Sequence, residues 1–278
     1  MPEGHTLFAL ARDLHSAFSG TRPTVTSPQG RFADGAAQVS GRELLGATSR
    51  GKHLFLEFDD ERWVHVHLGL IGSFTIDERA WSAEVPVTGA VRMRIATDEH
   101  VADLRGPNLC AVVAPEEIEA VMARLGPDPL RPESSDSDPD RAWGRIHRSS
   151  RSIGELLMDQ SVLAGVGNVY RSEVLFRHRL SPFTEGRDLR RSSWRLVWDD
   201  LVRLLPLGVA TGRIVTVAEQ IEDVEAALGR GEVPHVLERT SYVYKRDGMP
   251  CRTCGSRIRT RVVAGRNLFW CGRCQRRR

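Results

Sequence analysis

Apolar residues at Leu7, Leu10, Ala11, Leu14 and Phe18 recur at three- and four-residue steps, which predicts an amphipathic helix starting almost at the N-terminus and stopping at Gly20. From there to about residue 113 the period falls to two. Short alternating segments, His53 to Phe58, Val64 to Leu68 and Val91 to Ile95, are separated by Gly, Asp and Pro and predict a mostly antiparallel sandwich or barrel. Glu116 to Leu125 returns to helical spacing and closes this region, giving a first domain over residues 1–125. Residues 126–140 are crowded with Pro, Gly, Ser and Asp and read as a linker. Beyond them Ile153, Leu156 and Leu157 precede the turn Gly165-Val166-Gly167, and Val169, Val174 and Leu175 follow it. Trp194, Val197, Trp198, Leu201, Leu204 and Leu205 then line one face of a strong helix. Residues 141–240 are therefore expected to be helical, with 206–240 hard to assign and read as containing a mobile loop. The fold class is α+β with several domains.

The remaining 38 residues, 241–278, carry four of the five cysteines. Cys251-x-x-Cys254 and Cys271-x-x-Cys274 have the spacing of a tetrahedral four-cysteine zinc site, in which each short knuckle delivers two thiolates and the metal closes the loop between them. Four protein ligands leave no open position, so the predicted zinc is structural. Two disulfides are the alternative, but Glu3, His5, Arg12 and Asp13 interrupt the first apolar positions where a signal peptide would lie. A reducing cytoplasm is the expected setting. The lone Cys110 reads as a small buried hydrophobe. No apolar run approaches the roughly 18 residues of a membrane span.

Charge separates this module from the rest. The chain of 278 residues is only +3, yet residues 241–278 hold Lys245, Arg246, Arg252, Arg257, Arg259, Arg261, Arg266, Arg273, Arg276, Arg277 and Arg278 against a single acid, Asp247. Such a concentration is the footprint of phosphate-backbone binding rather than of a mixed-sign solvated face.

Chemistry is suggested at the other end. If Met1 is removed, Pro2 presents a secondary α-amine. A generic α-amine has a pKa of about 8, against about 10.4 for lysine, so a usable fraction is unprotonated near neutral pH and can attack a carbonyl carbon. Glu3 beside it can shuttle a proton. Pro and an acid before a helix are equally the marks of an ordinary helix start. In the turn Gly165-Val166-Gly167-Asn168, backbone N–H groups and the Asn168 amide can hold a phosphate, or the glycines can simply permit a tight turn. Lys52, ahead of a strand, can reach a phosphate or water. His65 and His67 share one strand face and are expected to be hydrogen-bonded rather than metal-bound.

These pieces occur together in one order: Met1-Pro2-Glu3-Gly4, Arg50-Gly51-Lys52, His67-Leu68-Gly69, Leu157-Met158-Asp159-Gln160 with Gly165-Val166-Gly167-Asn168-Val169-Tyr170, Tyr244-x-Arg246-x-Gly248-x-Pro250-Cys251, and Gly265-Arg266-Asn267-Leu268-Phe269-Trp270-Cys271. In that order the chain resembles, over nearly its whole length, the bacterial formamidopyrimidine-DNA glycosylase and endonuclease VIII repair enzymes. The actinobacterial endonuclease VIII branch is the most similar.

The resemblance implies an N-terminal catalytic β-sandwich, a helix-two-turn-helix DNA-binding domain and a C-terminal zinc-finger β-hairpin. It implies a monomeric DNA glycosylase and AP lyase acting on double-stranded DNA with oxidised bases or abasic sites. Pro2 would attack C1′ to form a Schiff base, and β/δ-elimination would cleave the strand. Glu3 would transfer protons and Lys52 would complete the catalytic set. Lys52, Asn168 and Arg266 would contact phosphates around the lesion, holding a nucleotide flipped from the stack. Leu70 would fill the void, as an apolar wedge can, unless it is a buried strand residue. Arg105 is a further candidate DNA contact. Thr6 stands where a second glutamate is frequent, and the segment Asp103 to Pro107 lacks the aromatic that follows the arginines of the formamidopyrimidine enzymes. With no purine-lesion loop recognisable in 206–240, these departures favour oxidised pyrimidines over 8-oxoguanine. The alternatives are a formamidopyrimidine/8-oxoguanine glycosylase and a non-catalytic zinc-ribbon DNA-binding regulator.

Overall fold

The computed structural model describes residues 2–78, 86–236 and 238–276, so Met1, Arg277 and Arg278 of the motifs above lie outside the described residues. Two compact units divide the chain, one ending at Arg124 and the other starting at Leu125.

The first unit opens with α1 (Gly4–Phe18), followed by β1 (Thr24–Thr26), α2 (Ala33–Val39), β2 (Leu44–Arg50), β3 (His53–Phe58) and β4 (Arg62–His67). After these come β5 (Ser73–Glu78), β6 (Val91–Ala96), β7 (His100–Arg105), β8 (Leu109–Val113) and α3 (Pro115–Arg124). The strands form two antiparallel four-stranded sheets, ordered β2-β3-β4-β8 and β1-β6-β7-β5. The predicted sandwich is therefore present. One core joins Leu7, Leu14 and Phe18 of α1 to Leu54, Leu56, Val64 and Val66 of one sheet and Met93, Ile95 and Leu104 of the other. Each such side chain contributes about 1.5–3 kcal/mol on burial, which anchors α1, and with it the N-terminal segment, against the sheets.

In the second unit α4 (Pro139–His147), α5 (Ile153–Leu156), α6 (Asn168–Arg177), α7 (Arg191–Thr211) and α8 (Ala218–Gly229) precede the hairpin β9 (Ile258–Val263) and β10 (Arg266–Cys271). Local chemistry sets the helix starts. Asp138 accepts from the Asp140 N–H with Pro139 in the first turn of α4, and Ser152 and Glu155 form a reciprocal capping box on α5. Every residue of α6 from Asn168 to Phe176 is buried. It is the central helix, and its polar members must find partners inside the protein.

Two expectations are corrected. The segment 126–140 read as a linker is packed at its start: Gly126, Pro127, Asp128 and Pro129 are buried, Gly126 N–H donates to Gln160 O at 2.9 Å, and Ala164 N–H donates to Pro127 O at 2.9 Å. A Cβ on Gly126 would lie 2.4 Å from the Val162 backbone, so this glycine permits a close backbone approach rather than flexibility. Residues 206–240 are also more regular than expected. The exposed Pro206 sits inside α7, where the buried Leu201, Leu204, Leu205 and Leu207 carry the helix through the lost hydrogen bond. α8 buries only Ile221 and Val224, too sparse a stripe to reveal its period. Among the described residues no helix is long and apolar enough to cross a membrane.

Candidate functional site

Pro2 is partly buried and leads directly into α1, whose N-cap is Glu3. The Glu3 carbonyl accepts from Thr6 N–H at 2.9 Å and Leu7 N–H at 3.4 Å, while its side chain makes no capping hydrogen bond. Glu3 is fully buried. A carboxylate serving only the helix dipole would sit in water, because burying it costs free energy. The helix-start account of Pro2-Glu3 therefore explains the backbone but not the buried acid.

Lys52 occupies the two-residue turn between β2 and β3, with Arg50 opposite His53 and Gly51 at φ +57° as such hairpin turns require. Behind it lies a histidine cluster. His53 Nδ1 and His65 Nε2 are 2.8 Å apart, and the His53 and His67 ring centroids are 5.1 Å apart. Burial, reinforced by the neighbouring imidazoles and the Lys52 charge, pushes His53 down to about 3. Burial and the charge of His67 push His65 down to about 4, and burial with Lys52 lowers His67. His53 and His67 thus lie within the field of the Lys52 charge and stay neutral near neutral pH. His65 is hydrogen-bonded, as its strand position suggested.

Leu70 is 47% exposed and Ile71 88% exposed. They project from a turn closed by Gly72 N–H donating to Leu68 O at 3.1 Å. Gly69 has φ +69°, and a Cβ on Gly72 would fall 2.3 Å from Leu68 O, so both glycines are needed for this tip. Leu70 is not a core residue. Ile71 was not singled out from the sequence, although two successive apolar residues between glycines carry the signal.

Arg105 is tied to its own sheet. Its guanidinium donates to Asp103 Oδ2 at 2.8 Å, Thr75 Oγ1 at 3.2 Å and Thr88 O at 3.1 Å, beside a bidentate Arg94–Asp103 pair. This placement makes Arg105 a brace of its sheet, with 29% of its side chain still exposed. Cys110 packs against the core of the first unit, and burial pushes its thiol up to about 12, so it is an inert filler.

In the second unit the Gln160 side chain straps the glycine turn, donating to Val166 O at 3.0 Å and accepting from Gly165 N–H at 3.0 Å. Asn168 follows as the first residue of α6. Its Nδ2 donates to Asn267 O at 2.9 Å, and its Oδ1 accepts from the Arg171 guanidinium. The β9–β10 hairpin turns through Ala264 and Gly265, both at positive φ, and Arg266 opens β10 opposite Val263.

At the far end of the hairpin the four cysteine Sγ atoms lie within 4.8 Å of one another and form no disulfide. Cys251 Sγ and Cys274 Sγ are 3.9 Å apart, and Cys254 Sγ and Cys271 Sγ 3.5 Å. A tetrahedron with Zn–S of about 2.3 Å has S···S edges of about 3.8 Å, so the cage fits one zinc. Hydrogen bonds from Ser256 pull Cys254 down to about 6, whereas burial raises Cys271 and Cys274, whose thiolates the metal's charge would have to stabilise.

Glu173 and Arg171 were missed from sequence. Both are buried on α6. Glu173 accepts from Thr216 Oγ1, Tyr242 N–H and Val243 N–H, each at 2.8 Å, and from Tyr244 N–H at 2.9 Å, tying the entry of the zinc module to the central helix. Their signal is a pair of opposite charges in a ten-residue helix that carries apolar residues around most of its circumference.

A buried acid next to Pro2 at the start of α1 and a basic zinc hairpin held to a glycine-turn helix fit a DNA glycosylase of base excision repair. Residues 1–108 match the formamidopyrimidine-DNA glycosylase N-terminal domain, residues 125–220 its H2TH domain, and residues 248–277 the zinc finger found in FPG and IleRS. The chain is 48% identical to endonuclease 8 1 of Mycobacterium tuberculosis over 277 residues, covering 99% of this chain and 100% of that one. It is 32% identical to the probable endonuclease 8 2 of Streptomyces coelicolor, over 99% of this chain and 94% of the relative. The protein therefore belongs to the formamidopyrimidine-DNA glycosylase and endonuclease VIII family, on its actinobacterial endonuclease VIII branch, and its four-cysteine cage holds one structural zinc. The crystal structure of the formamidopyrimidine-DNA glycosylase from Thermus thermophilus aligns with a TM-score of 0.74 at 27% identity, over 99% of this chain and 98% of that one. The Lactococcus lactis enzyme, non-covalently bound to DNA containing an AP site, aligns with a TM-score of 0.77 at 20% identity over 99% of this chain and 100% of that one, a likeness of fold.

Proposed function

We propose that this protein excises oxidised pyrimidines from duplex DNA and cleaves the resulting abasic strand, working as a monomer at the nucleoid. The observation that carries the reading is the fully buried Glu3 beside Pro2 at the start of α1. After removal of Met1 the unprotonated Pro2 nitrogen attacks C1′, and the glycosidic bond electrons leave with the base, which takes a proton. Opening of the sugar ring gives an iminium. Because proline is a secondary amine this iminium is permanently cationic, which acidifies the C2′ hydrogen and drives β-elimination of the 3′-phosphate. A second, δ-elimination releases the 5′-phosphate. Glu3 moves protons to and from the sugar. Lys52, Asn168 and Arg266 hold phosphates around the lesion, and Leu70 enters the space left by the flipped nucleotide. Arg105, which also braces its sheet through Asp103, is a further candidate DNA contact.

Borohydride trapping tests this. The mature protein should form a reducible adduct with abasic-site duplex, Pro2→Gly should trap far less, and Glu3→Gln should bind DNA yet fail to excise an intact oxidised pyrimidine. Equal trapping by Pro2→Gly would remove Pro2 as the nucleophile, and no adduct from the parent would leave the regulator reading standing. Faster release of 8-oxoguanine than of oxidised pyrimidines would reverse the lesion class.

A further inference from the structure

Arg171 is a large cation with no exposed surface, on a helix turn that faces the zinc hairpin. Its Nη1 donates to Gly154 O of α5 at 3.0 Å and to Val263 O at 3.2 Å, and its Nη2 donates to Asn168 Oδ1. Val263 is the cross-strand partner of Arg266. On the other side of Arg266, the carbonyl of Asn267 accepts from Asn168 Nδ2 at 2.9 Å. The backbone on both sides of Arg266 is therefore gripped by two side chains of α6, and those two side chains are bonded to each other. With its oxygen bound to Arg171, the Asn168 amide cannot flip, and its second Nδ2 hydrogen keeps a fixed direction.

We propose that Arg171 is a positioning residue: it locks the Asn168 amide and the β9–β10 turn into one rigid phosphate-reading unit, so that Asn168 and Arg266 meet the DNA backbone with a preset spacing. This rests on the reading of Asn168 and Arg266 as phosphate contacts. A lysine keeps the charge but cannot fork to two carbonyls and an amide at once, because it lacks the planar array of donors. Glutamine lacks the charge as well. Fixing donors before the ligand arrives removes an ordering cost from binding and gives coupled rather than independent contributions.

The experiment is a double-mutant cycle in the full-length, zinc-loaded protein, using a duplex with a tetrahydrofuran abasic analogue and the matching undamaged duplex. Arg171→Lys and Arg171→Gln should each weaken binding to both duplexes by about fivefold or more. Added to Arg266→Ala, either should cost clearly less than in the parent background, and added to the Asn168→Ala, Arg266→Ala pair less than about twofold further, because both residues they aim are then gone. In Arg171→Lys borohydride trapping should need a higher half-saturating DNA concentration while zinc content and cooperative unfolding stay parental, a split that general loss of structure would not produce. Full additivity with Arg266→Ala, or parental binding by Arg171→Lys, overturns the proposal. Loss of zinc and of cooperative unfolding in both Arg171 variants also overturns it, making Arg171 a folding residue. Parental binding by Arg266→Ala alone would instead sink the phosphate reading on which it rests.

Discussion

Glu173→Gln is the substitution with the most consequence for the second unit, and its size follows from the four donors that converge on one carboxylate. Oε1 accepts from the Val243 and Tyr244 N–H groups, and Oε2 from Tyr242 N–H and the Thr216 hydroxyl. In glutamine one oxygen becomes an amide nitrogen. If it takes the Oε2 place, Thr216 can rotate and accept, but Tyr242 N–H then faces a donor and loses its partner. An unsatisfied buried donor costs about 1–3 kcal/mol, and hydrogen bonds to a charged group are worth about 1.5–3 kcal/mol against about 1 for neutral ones. One orphaned N–H and three weakened bonds therefore cost roughly 3–5 kcal/mol. For a unit of this size each kcal/mol shifts the midpoint by about 2–4 °C, so unfolding should fall by roughly 6–20 °C. The loss should fall on the attachment of residues 242–244 and hence on the zinc module. Calorimetry with parallel zinc analysis reads both effects. A midpoint within about 2 °C of the parent would mean that Glu173 is not the clamp described.

Further outcomes follow from the same structure. Cys271→Ser should lower bound zinc and loosen the hairpin, whereas Cys110→Ser should leave metal content unchanged, as metal analysis will show. Leu70→Ala and Ile71→Ala should each change stability by no more than about 0.5 kcal/mol, since both side chains are exposed, yet Leu70→Ala should slow excision from a paired duplex more than cleavage at a preformed abasic site. A large fall in melting temperature for Leu70→Ala would return it to the core. His53 and His65 take up protons in the unfolded chain near 6.5 but in the folded protein only at about 3 and about 4. Stability of the first unit should thus be unaffected above about pH 7 and fall as pH drops toward 4, by up to about 1.4 kcal/mol per pH unit for each group. His65→Gln should flatten that acid limb in pH-dependent unfolding, and an unchanged limb would refute the assignment.

What could be read from sequence tracks how each signal is encoded. α1, the sandwich strands and α7 show their period because each buries a regular stripe, and Cys251, Cys254, Cys271 and Cys274 show their role because metal ligation fixes spacing along the chain. α8 stayed hidden, with only Ile221 and Val224 buried in twelve residues. Residues 126–130, the start of the segment 126–140, looked like a linker because Pro and Gly mark both flexible and closely packed backbone. The close approach of Gly126 to the Val162 backbone and the hydrogen bonds of Gly126 and Pro127 distinguish the two.

Arg171, Glu173 and Asn168 illustrate a deeper limit. Periodicity reports which side of a helix faces water, but α6 has no such side from Asn168 to Phe176, so its polar residues carry no periodic signal at all. Their partners lie far along the chain, Asn168 bonding to Asn267 and Arg171 to Val263, and most of those partners are backbone carbonyls or N–H groups that any residue type supplies. Side-chain pairing rules cannot anticipate such bonds. Yet the cost of burying a guanidinium and a carboxylate on the helix that packs against a basic hairpin is itself informative. A helix interior that keeps charge without exposing it must be organising backbone elsewhere, and in this chain the backbone so organised is the turn bearing Arg266 on one side and the approach to the zinc cysteines on the other.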